Sequence, residues 1–306
     1  MSKIISVREI QQIILSGQMV RIPEDALLTP AARELLNELE SGGGAKAAVP
    51  LEPPGFAGDA TPSGPAVHLN SRSPKAELEA FFHSPHVHSM KLQICETGRR
   101  LWQRAYVDGN GGNLAIRVGE DLALCTPTMV SKGSLRPEDL CLVDFEGTQL
   151  LGARKQTSEI LMHVQMMKRQ PRAVATCHCH PPHATAFAIA GVVPPQCLLP
   201  EYEILCSVGI APYRTPRSPE MGRLVAELTG QYDTILMSNH GVVSWSHNSL
   251  EEAYWRMEVI EAYCRTVVVA RQLGNPLNTF TSGQMKELLD IKQSFGFVDP
   301  RYERKD

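Results

Sequence analysis

Residues 173–183 read AVATCHCHPPH, an apolar run that ends in three histidines and two prolines. The apolar part is typical of a buried β-strand, and the prolines are typical of the first turn of a helix. Because side chains alternate between the two faces of a strand, His178 and His180 are expected to share one face. Two imidazoles on one face at a strand end supply half of the ligands of a metal site. The segment therefore predicts an α/β protein with a metal site at a strand end.

Two alternatives to this interpretation stay open. The histidines could instead be hydrogen-bonded core residues, although three of them within six positions favour a metal site. Cys177 and Cys179 could act as soft ligands, but strand alternation places them on the opposite face, and we interpret them as core residues. The eight cysteines of the chain show no regular spacing, which is typical of free thiols in a reducing compartment.

A third imidazole, that of His240, follows another predicted strand. Residues 234–237 are apolar and precede Ser238-Asn239-His240-Gly241. This histidine therefore also lies at a strand end, where α/β proteins gather their sites. Taken alone, an Asn-His-Gly turn is a weak signal.

Glu159 is the fourth candidate. It follows Thr157 and Ser158, which are predicted to cap a helix and to leave its first backbone amides free for a phosphate. The alternative is a glutamate that only stabilises the helix dipole. Gly111-Gly112-Asn113 stands before a strand, and glycine there would let backbone amides approach an anion, although such clusters are most often simple turns.

Strand and helix patterns alternate through the rest of the body. Strands are predicted over 113–118, 121–125, 141–144, 173–176 and 234–237, the first two as a hairpin. Helices are predicted to begin at Ser84-Pro85, at Thr157-Ser158, after Pro181-Pro182, at Ser218-Pro219 and at Ser249. The helices do not alternate strictly with the strands, so a mixed sheet is expected rather than a doubly wound parallel one.

The composition is that of an ordinary globular chain. Its 306 residues are 43% apolar and 21% charged, and 30 basic and 33 acidic side chains give a net charge of −3. Without a basic surplus, no nucleic-acid partner is expected. No apolar run reaches the roughly 18–20 residues that cross a bilayer. Charges occupy the place of the apolar core of a signal peptide, so a cytoplasmic protein without membrane contact is expected.

Three regions are predicted along the chain, residues 1–40, 41–72 and 73–306. Within residues 41–67, 17 of 27 positions are Gly, Pro or Ala, which predicts a flexible linker because so little apolar surface cannot offset chain entropy. Residues 1–40 carry two helix signals, one from Ser6 to Gly17 and one that begins at Thr29-Pro30. This extension is too poor in apolar residues to fold alone, so its apolar face is predicted to meet a partner; packing on its own body is the alternative.

Five motifs occur in a fixed order within roughly residues 85–275. They are Gly112-Asn113, Thr126-Pro127-Thr128, Ser158-Glu159, His178-x-His180-x-x-His183 and Asn239-His240-Gly241. This order resembles the class II aldolase/adducin family, and most of all its L-fuculose-1-phosphate aldolase branch. The resemblance implies a three-layer α/β/α fold with a central mixed, largely antiparallel sheet. It also implies a Zn²⁺ ion and a homotetramer with sites between subunits.

The resemblance assigns roles to residues. His178, His180 and His240 would bind the Zn²⁺ ion, and Glu159 would complete its coordination and act as the acid/base once substrate displaces it. The substrate phosphate would be held by residues at the phosphate-binding positions of the family: Gly112, Asn113, Thr128, Thr157 and Ser158.

Two further positions follow from the same resemblance. Tyr202 is the candidate for the proton-donating tyrosine of the family, and Tyr302 is a second candidate from the C-terminal tail. Met129 stands where the family often has glycine, and this departure is expected to reshape the phosphate pocket.

The implied activity is zinc-dependent cleavage of a deoxyketose 1-phosphate, L-fuculose 1-phosphate or a similar sugar, to dihydroxyacetone phosphate and lactaldehyde. The alternatives are a pentulose-phosphate 4-epimerase on the same fold and a non-catalytic, adducin-like interaction protein. Retention of the three histidines and Glu159 favours an enzyme. Residues 1–40 resemble the encapsulation peptides of bacterial microcompartment cargo, which implies shell proteins as partners and a microcompartment as the location.

Overall fold

The computed structural model describes residues 69–302 together with the short segments Ile4–Ile5 and Leu27–Leu28. The chain divides into two units, Met1–Asp59 and Ala60–Asp306. In the first unit, Ile4–Ile5 (β1) pairs in parallel with Leu27–Leu28 (β2), a pairing that the sequence patterns do not predict. The two helices predicted within residues 1–40 and the linker predicted over 41–72 fall on residues outside the described ones, apart from the last few of the linker, so this division stays a prediction.

Eight strands of the second unit form a single sheet within residues 69–302. They are β3 (Asn113–Arg117), β4 (Leu122–Cys125), β5 (Cys141–Asp144), β6 (Gln149–Leu151), β7 (Ala175–Cys179), β8 (Val208–Ala211), β9 (Thr234–Met237) and β10 (Gly241–Ser246). Their order across the sheet is β6-β5-β4-β3-β7-β10-β9-β8. All neighbours are antiparallel except β8 and β9. The prediction of a mixed, largely antiparallel sheet is confirmed, although β6, β8 and β10 were not predicted individually.

Eight helices accompany these strands in the same part of the chain. They are α1 (Lys75–Phe82), α2 (Pro85–Gln103), α3 (Ile160–Arg169), α4 (Pro182–Ala190), α5 (Pro200–Leu205), α6 (Pro219–Leu228), α7 (Leu250–Gln272) and α8 (Ser282–Ser294). The hydroxyls of Ser84, Ser218 and Ser249 accept hydrogen bonds from the first turns of α2, α6 and α7, as the cap signals predict. No helix among residues 69–302 is long and apolar enough to cross a membrane.

The beginning of α3 differs from the prediction. The helix begins at Ile160, and Glu159 rather than Thr157 or Ser158 occupies the N-cap position. The Thr157 hydroxyl accepts a hydrogen bond from the Glu159 backbone amide at 3.3 Å, which directs the chain into the helix. Glu159 therefore stands at the junction of loop and helix, where its side chain can leave the helix surface.

Helices cover both faces of the sheet. Leu114 and Ile116 of β3 pack with residues of α2 and α7 in one apolar core, and Ala115 between them packs with residues of α3 and α6 in a second. Alternate residues of one strand thus serve two cores. The architecture is three layers, α/β/α, as predicted.

Strand register positions the candidate ligands at the centre of the sheet. β7 lies between β3 and β10, and Asn113 is paired with His178 across the β3–β7 ladder. Cys177 and Cys179 are buried in the core formed with α2 and α7, which confirms their interpretation as core residues. His178 points to the opposite face, towards α3, and His240 lies in the turn between β9 and β10.

Candidate metal centre

The three histidines predicted as ligands converge on one point. One ring nitrogen each from His178, His180 and His240 lies within 4.8 Å of the other two. Glu159 stands beside them: its Oε2 is 3.4 Å from His178 Nε2 and its Oε1 is 3.3 Å from His240 Nε2. Three imidazoles and a carboxylate from three different parts of the chain therefore share one small volume.

Hydrogen bonds decide which ring nitrogen of His178 and of His180 faces this volume. His178 Nδ1 donates to the carbonyl oxygen of Val242 at 2.8 Å, and His180 Nδ1 donates to Asp108 Oδ1 at 3.1 Å. With neutral rings, both Nε2 atoms then turn lone pairs towards each other at 3.2 Å. Two ligands bound at about 2.0–2.1 Å to a tetrahedral zinc stand about 3.3 Å apart, so this spacing suits a shared divalent cation.

The electrostatics of the cluster also suit a cation. Burial lowers the pKa of His178 well below its ordinary value, and the neighbouring imidazoles lower it further. Burial likewise lowers the pKa of His240, against the opposing effect of Glu159. Neutral imidazoles keep their lone pairs available for a metal. Glu159 Oε1 is buried and accepts no hydrogen bond from the described residues, a state that a bound cation would relieve.

Two glycines of the predicted motifs leave room for the histidine-bearing strand because they lack a side chain. A Cβ at Gly241 would lie 2.5 Å from His180 Cδ2 and 2.7 Å from the carbonyl oxygen of Cys179. Gly112 has a φ of +70°, and a Cβ there would lie 2.9 Å from the carbonyl oxygen of His178. Gly112 therefore has a packing reason beside the anion-binding role that the resemblance implies.

A pocket opens beside Glu159 and His240. Its lining includes every residue predicted to hold phosphate: Gly112, Asn113, Thr128, Thr157 and Ser158. The structure thus brings the predicted phosphate-binding set and the predicted metal ligands to one place. The side-chain amide of Asn113, however, already forms a hydrogen bond with the site carboxylate, since its Nδ2 donates to Glu159 Oε2 at 2.8 Å.

Lys132 also lines this pocket, and sequence reasoning missed it. The residue is 1% exposed, and its Nζ donates to the carbonyl oxygens of Asn110 and Val130 at 2.9 and 2.8 Å. Burial lowers the pKa of Lys132 to about 8. A fixed ammonium beside several hydroxyls gives the pocket the chemistry of an anion site.

Met129 adopts a conformation usual for glycine. Its φ is +57°, and its side chain is 77% exposed beside Asn110. The backbone therefore follows the left-handed path that a glycine would take, and the side chain extends into solvent. Met129 itself does not line the pocket, but its Sδ accepts a hydrogen bond from Nδ2 of Asn110, which does, so the effect of Met129 on the pocket stays a prediction.

Tyr202 lies apart from the pocket. It is 2% exposed and stacks on Tyr263 with ring centroids 3.8 Å apart in the core formed with α7. Tyr302 does not line the pocket either. This chain gives Tyr202 a packing role, which does not support its interpretation as the proton donor. His183, the last histidine of the motif, bonds through Nδ1 to Glu261 Oε1 at 2.7 Å and stays outside the metal cluster.

The residues at or behind the site that were not predicted include Asp108, Lys132 and His163. His163 lies four residues after Glu159, so the helical spacing could have placed both on one side of α3. Asp108 precedes the glycine turn, and a carboxylate partner is expected for a metal-binding histidine. Lys132 is the first residue of a short 3₁₀ helix, Lys132–Ser134, and no sequence pattern assigns it to the pocket.

Fold and site together define an α/β protein in which three clustered histidines and a carboxylate lie beside a pocket, an arrangement typical of metal-dependent enzymes. Residues 92–268 match the family described as Class II Aldolase and Adducin N-terminal domain. The chain belongs to this family.

Relatives of the chain include lyases of two kinds. An L-fuculose phosphate aldolase of Methanococcus maripaludis is 34% identical over 171 residues, which are 56% of this chain and 89% of that protein. A 3-oxo-tetronate 4-phosphate decarboxylase of Haemophilus influenzae is 32% identical over 172 residues, 54% of this chain and 80% of that protein. The crystal structure of YgbL from Escherichia coli aligns with a TM-score of 0.60 at 28% identity, covering 66% of this chain and 98% of YgbL.

Proposed function

We propose that the chain is a zinc-dependent aldolase that cleaves L-fuculose 1-phosphate or a similar deoxyketose 1-phosphate to dihydroxyacetone phosphate and lactaldehyde. The observation that carries the proposal is the position of Glu159. Its carboxylate lies 3.3–3.4 Å from two imidazole nitrogens and also lines the pocket with the hydroxyl side chains. A group able to move a proton therefore stands beside both the cation position and the substrate position.

The roles of the residues follow from this placement. A Zn²⁺ ion held by His178, His180 and His240 would supply Lewis acidity towards the carbonyl and hydroxyl oxygens of the substrate. Glu159 is placed to carry the proton that cleavage releases from a hydroxyl and that the remaining carbon takes up.

The phosphate end of the substrate is assigned to the hydroxyl side of the pocket. Thr128, Thr157 and Ser158 offer hydroxyl groups there, and Lys132 offers a buried positive charge. Charge-assisted hydrogen bonds of this kind suit a phosphate dianion. Holding the phosphate at one end fixes the reacting carbons relative to Glu159.

The relatives support this class of reaction. One is named as an aldolase and the other as a decarboxylase, and both names include a phosphorylated substrate. Aldol cleavage and decarboxylation each break a carbon–carbon bond and leave charge on a neighbouring oxygen. A cation beside a proton-carrying carboxylate serves both reactions.

A cleavage assay tests the proposal. Fuculose, rhamnulose and ribulose phosphates are offered to zinc-loaded, chelator-treated and reloaded protein, and the products are identified by mass spectrometry. We expect dihydroxyacetone phosphate and lactaldehyde from a deoxyhexulose phosphate with the loaded and reloaded samples only. An epimerised pentulose phosphate without aldehyde would identify the 4-epimerase alternative. Protein that neither binds metal nor turns over any substrate would favour the adducin-like alternative.

We also propose that the chain forms a homotetramer and that residues 1–40 dock on microcompartment shell proteins. Support for an interface comes from apolar side chains exposed near the C-terminal ends of α4 and α7: Ile189, Val192, Val193, Val269 and Leu273. Support for docking comes from the apolar helix pattern of the extension alone.

Deletion of residues 1–67 tests the role of the extension. The shortened chain is expected to keep its number of subunits, its thermal stability and its cleavage activity, because every residue of the candidate site lies beyond position 100. Co-purification with shell proteins is expected to be lost. A collapse of thermal stability would show that the extension packs on the body as part of its core.

A further inference from the structure

His163 is a fully buried histidine behind the candidate site. It lies on α3, four residues after Glu159, and has 0% of its surface exposed. It does not line the pocket and is not one of the three clustered histidines. Burying an imidazole costs free energy unless its ring nitrogens form hydrogen bonds. The hydrogen-bond partners of His163 therefore indicate its role.

Both ring nitrogens have partners, and these partners determine where the proton lies. Nδ1 is 2.7 Å from Thr176 Oγ1, and Nε2 contacts Asn113 Oδ1. Burial lowers the pKa of His163 to about 3, so the ring is neutral and carries a single proton. Since the amide oxygen of Asn113 can only accept, the proton is on Nε2, and the Thr176 hydroxyl donates to Nδ1.

The side-chain amide of Asn113 links His163 to Glu159. Its Nδ2 donates to Glu159 Oε2 at 2.8 Å. If the amide were turned around, its oxygen would face the carboxylate and its NH₂ would face the Nε2–H of His163. The contact with the carboxylate would then be repulsive whichever ring nitrogen of His163 carries the proton, so the Glu159 carboxylate fixes the orientation of the amide. The neutral His163 ring, with its proton on Nε2, matches this orientation and anchors the amide oxygen of Asn113.

We propose that His163 is a positioning residue: through Asn113 it holds the Glu159 carboxylate in the orientation that proton transfer requires. The proposal rests on the proposed function of Glu159 in proton transfer. His163 acts here as a neutral donor at Nε2, not as a ligand or a charge. Outer partners of this kind typically contribute about 10–100-fold to activity or metal affinity.

The variants His163→Gln and His163→Asn separate the two ring contacts. A glutamine amide reaches the position of Nε2 and can donate to Asn113, whereas the shorter asparagine amide reaches only the position of Nδ1 beside Thr176. In the full-length, zinc-loaded protein, we expect His163→Asn to lower kcat by about 10–100-fold with KM little changed. His163→Gln is expected to recover most of that loss. His88→Asn, at an exposed histidine of α2, is the control.

A chelator-competition titration with Zn²⁺ gives a second readout that needs no substrate. His163→Asn is expected to bind zinc more weakly than His163→Gln, because Glu159 lies beside His178 and His240. If the wild-type chain cleaves no sugar phosphate, the proposed function fails, and this titration still decides the role of His163.

Thr176→Val provides a second test if His163→Asn or His163→Gln does not fold. It removes the donor to Nδ1 without touching His163 and is expected to lower kcat and zinc affinity in the same direction. Folded variants of His163 with equal kcat and equal zinc affinity, or an unchanged Thr176→Val, would overturn the proposal.

Discussion

Glu159→Gln is expected to lower kcat for sugar-phosphate cleavage by about 10²–10⁴-fold while zinc stays bound. Glutamine keeps the size of the side chain, and its amide oxygen can still accept from Asn113 Nδ2, which lies 2.8 Å from Glu159 Oε2. It cannot take up and return a proton. Steady-state kinetics and metal content per chain, measured on the same preparation, check both halves of this expectation.

The control for this variant is Glu201→Gln, which makes the same chemical change at an exposed position of α5. It is expected to leave turnover and zinc content unchanged. Near-normal turnover in Glu159→Gln would remove Glu159 from the mechanism. Parallel loss of zinc and turnover would show instead that its carboxylate serves chiefly as a ligand.

The metal ligands could be predicted because they follow from strand geometry. The two-residue period of a strand places His178 and His180 together and sends Cys177 to the other face, whatever lies around the strand. His240 required one more assumption, that the strand before it lies near β7. In the sheet, β10 lies between β7 and β9 and pairs with both, so β9 lies near β7 as assumed.

The surroundings of the ligands could not be predicted in the same way. The Asn113–Glu159 hydrogen bond joins residues 46 positions apart, and the His163–Asn113 contact joins residues 50 apart. Such contacts depend on how α3 packs on the sheet, which no local pattern contains. Lys132 is placed by a loop and a short 3₁₀ turn, and the same limit applies to it.

Tyr202 shows the limit of reasoning from resemblance. Its position was carried over from a family pattern through a loosely similar segment, with no physical argument for its exposure. Here its ring lies in the core against Tyr263. A tyrosine on a short helix among Leu199, Ile204 and Leu205 is more simply a core residue, and the apolar neighbours in the sequence already favour that interpretation.

The fold class was predicted correctly although three strands of the sheet were missed. β6 has only three residues, all half-buried, so it lacks a clear apolar pattern. β10 begins at Gly241, the last residue of the Asn-His-Gly motif, and is buried along its whole length, so it shows no alternation. The central strands and the capped helices sufficed because they already define a sheet covered on both faces.

His240→Ala is expected to abolish stoichiometric zinc binding and, with it, cleavage. A catalytic zinc is commonly held by three protein ligands, and this change leaves only His178 and His180 as imidazole donors. The loss should exceed the roughly 10–100-fold that removal of an outer partner costs. His240 lies in the turn between β9 and β10 rather than in the packed sheet, so the fold is expected to survive.

The measurement is zinc content per chain after dialysis, with thermal unfolding recorded in the presence of chelator. His88→Ala, an exposed histidine on α2, should keep its zinc and its activity. Unfolding in chelator should be similar for both variants, because neither then carries metal. A His240→Ala protein that retains one zinc per chain would show that Glu159 replaces the lost ligand, since its Oε1 lies 3.3 Å from His240 Nε2. Such a protein should still lose turnover, because a carboxylate bound to the ion is no longer free to carry the proton.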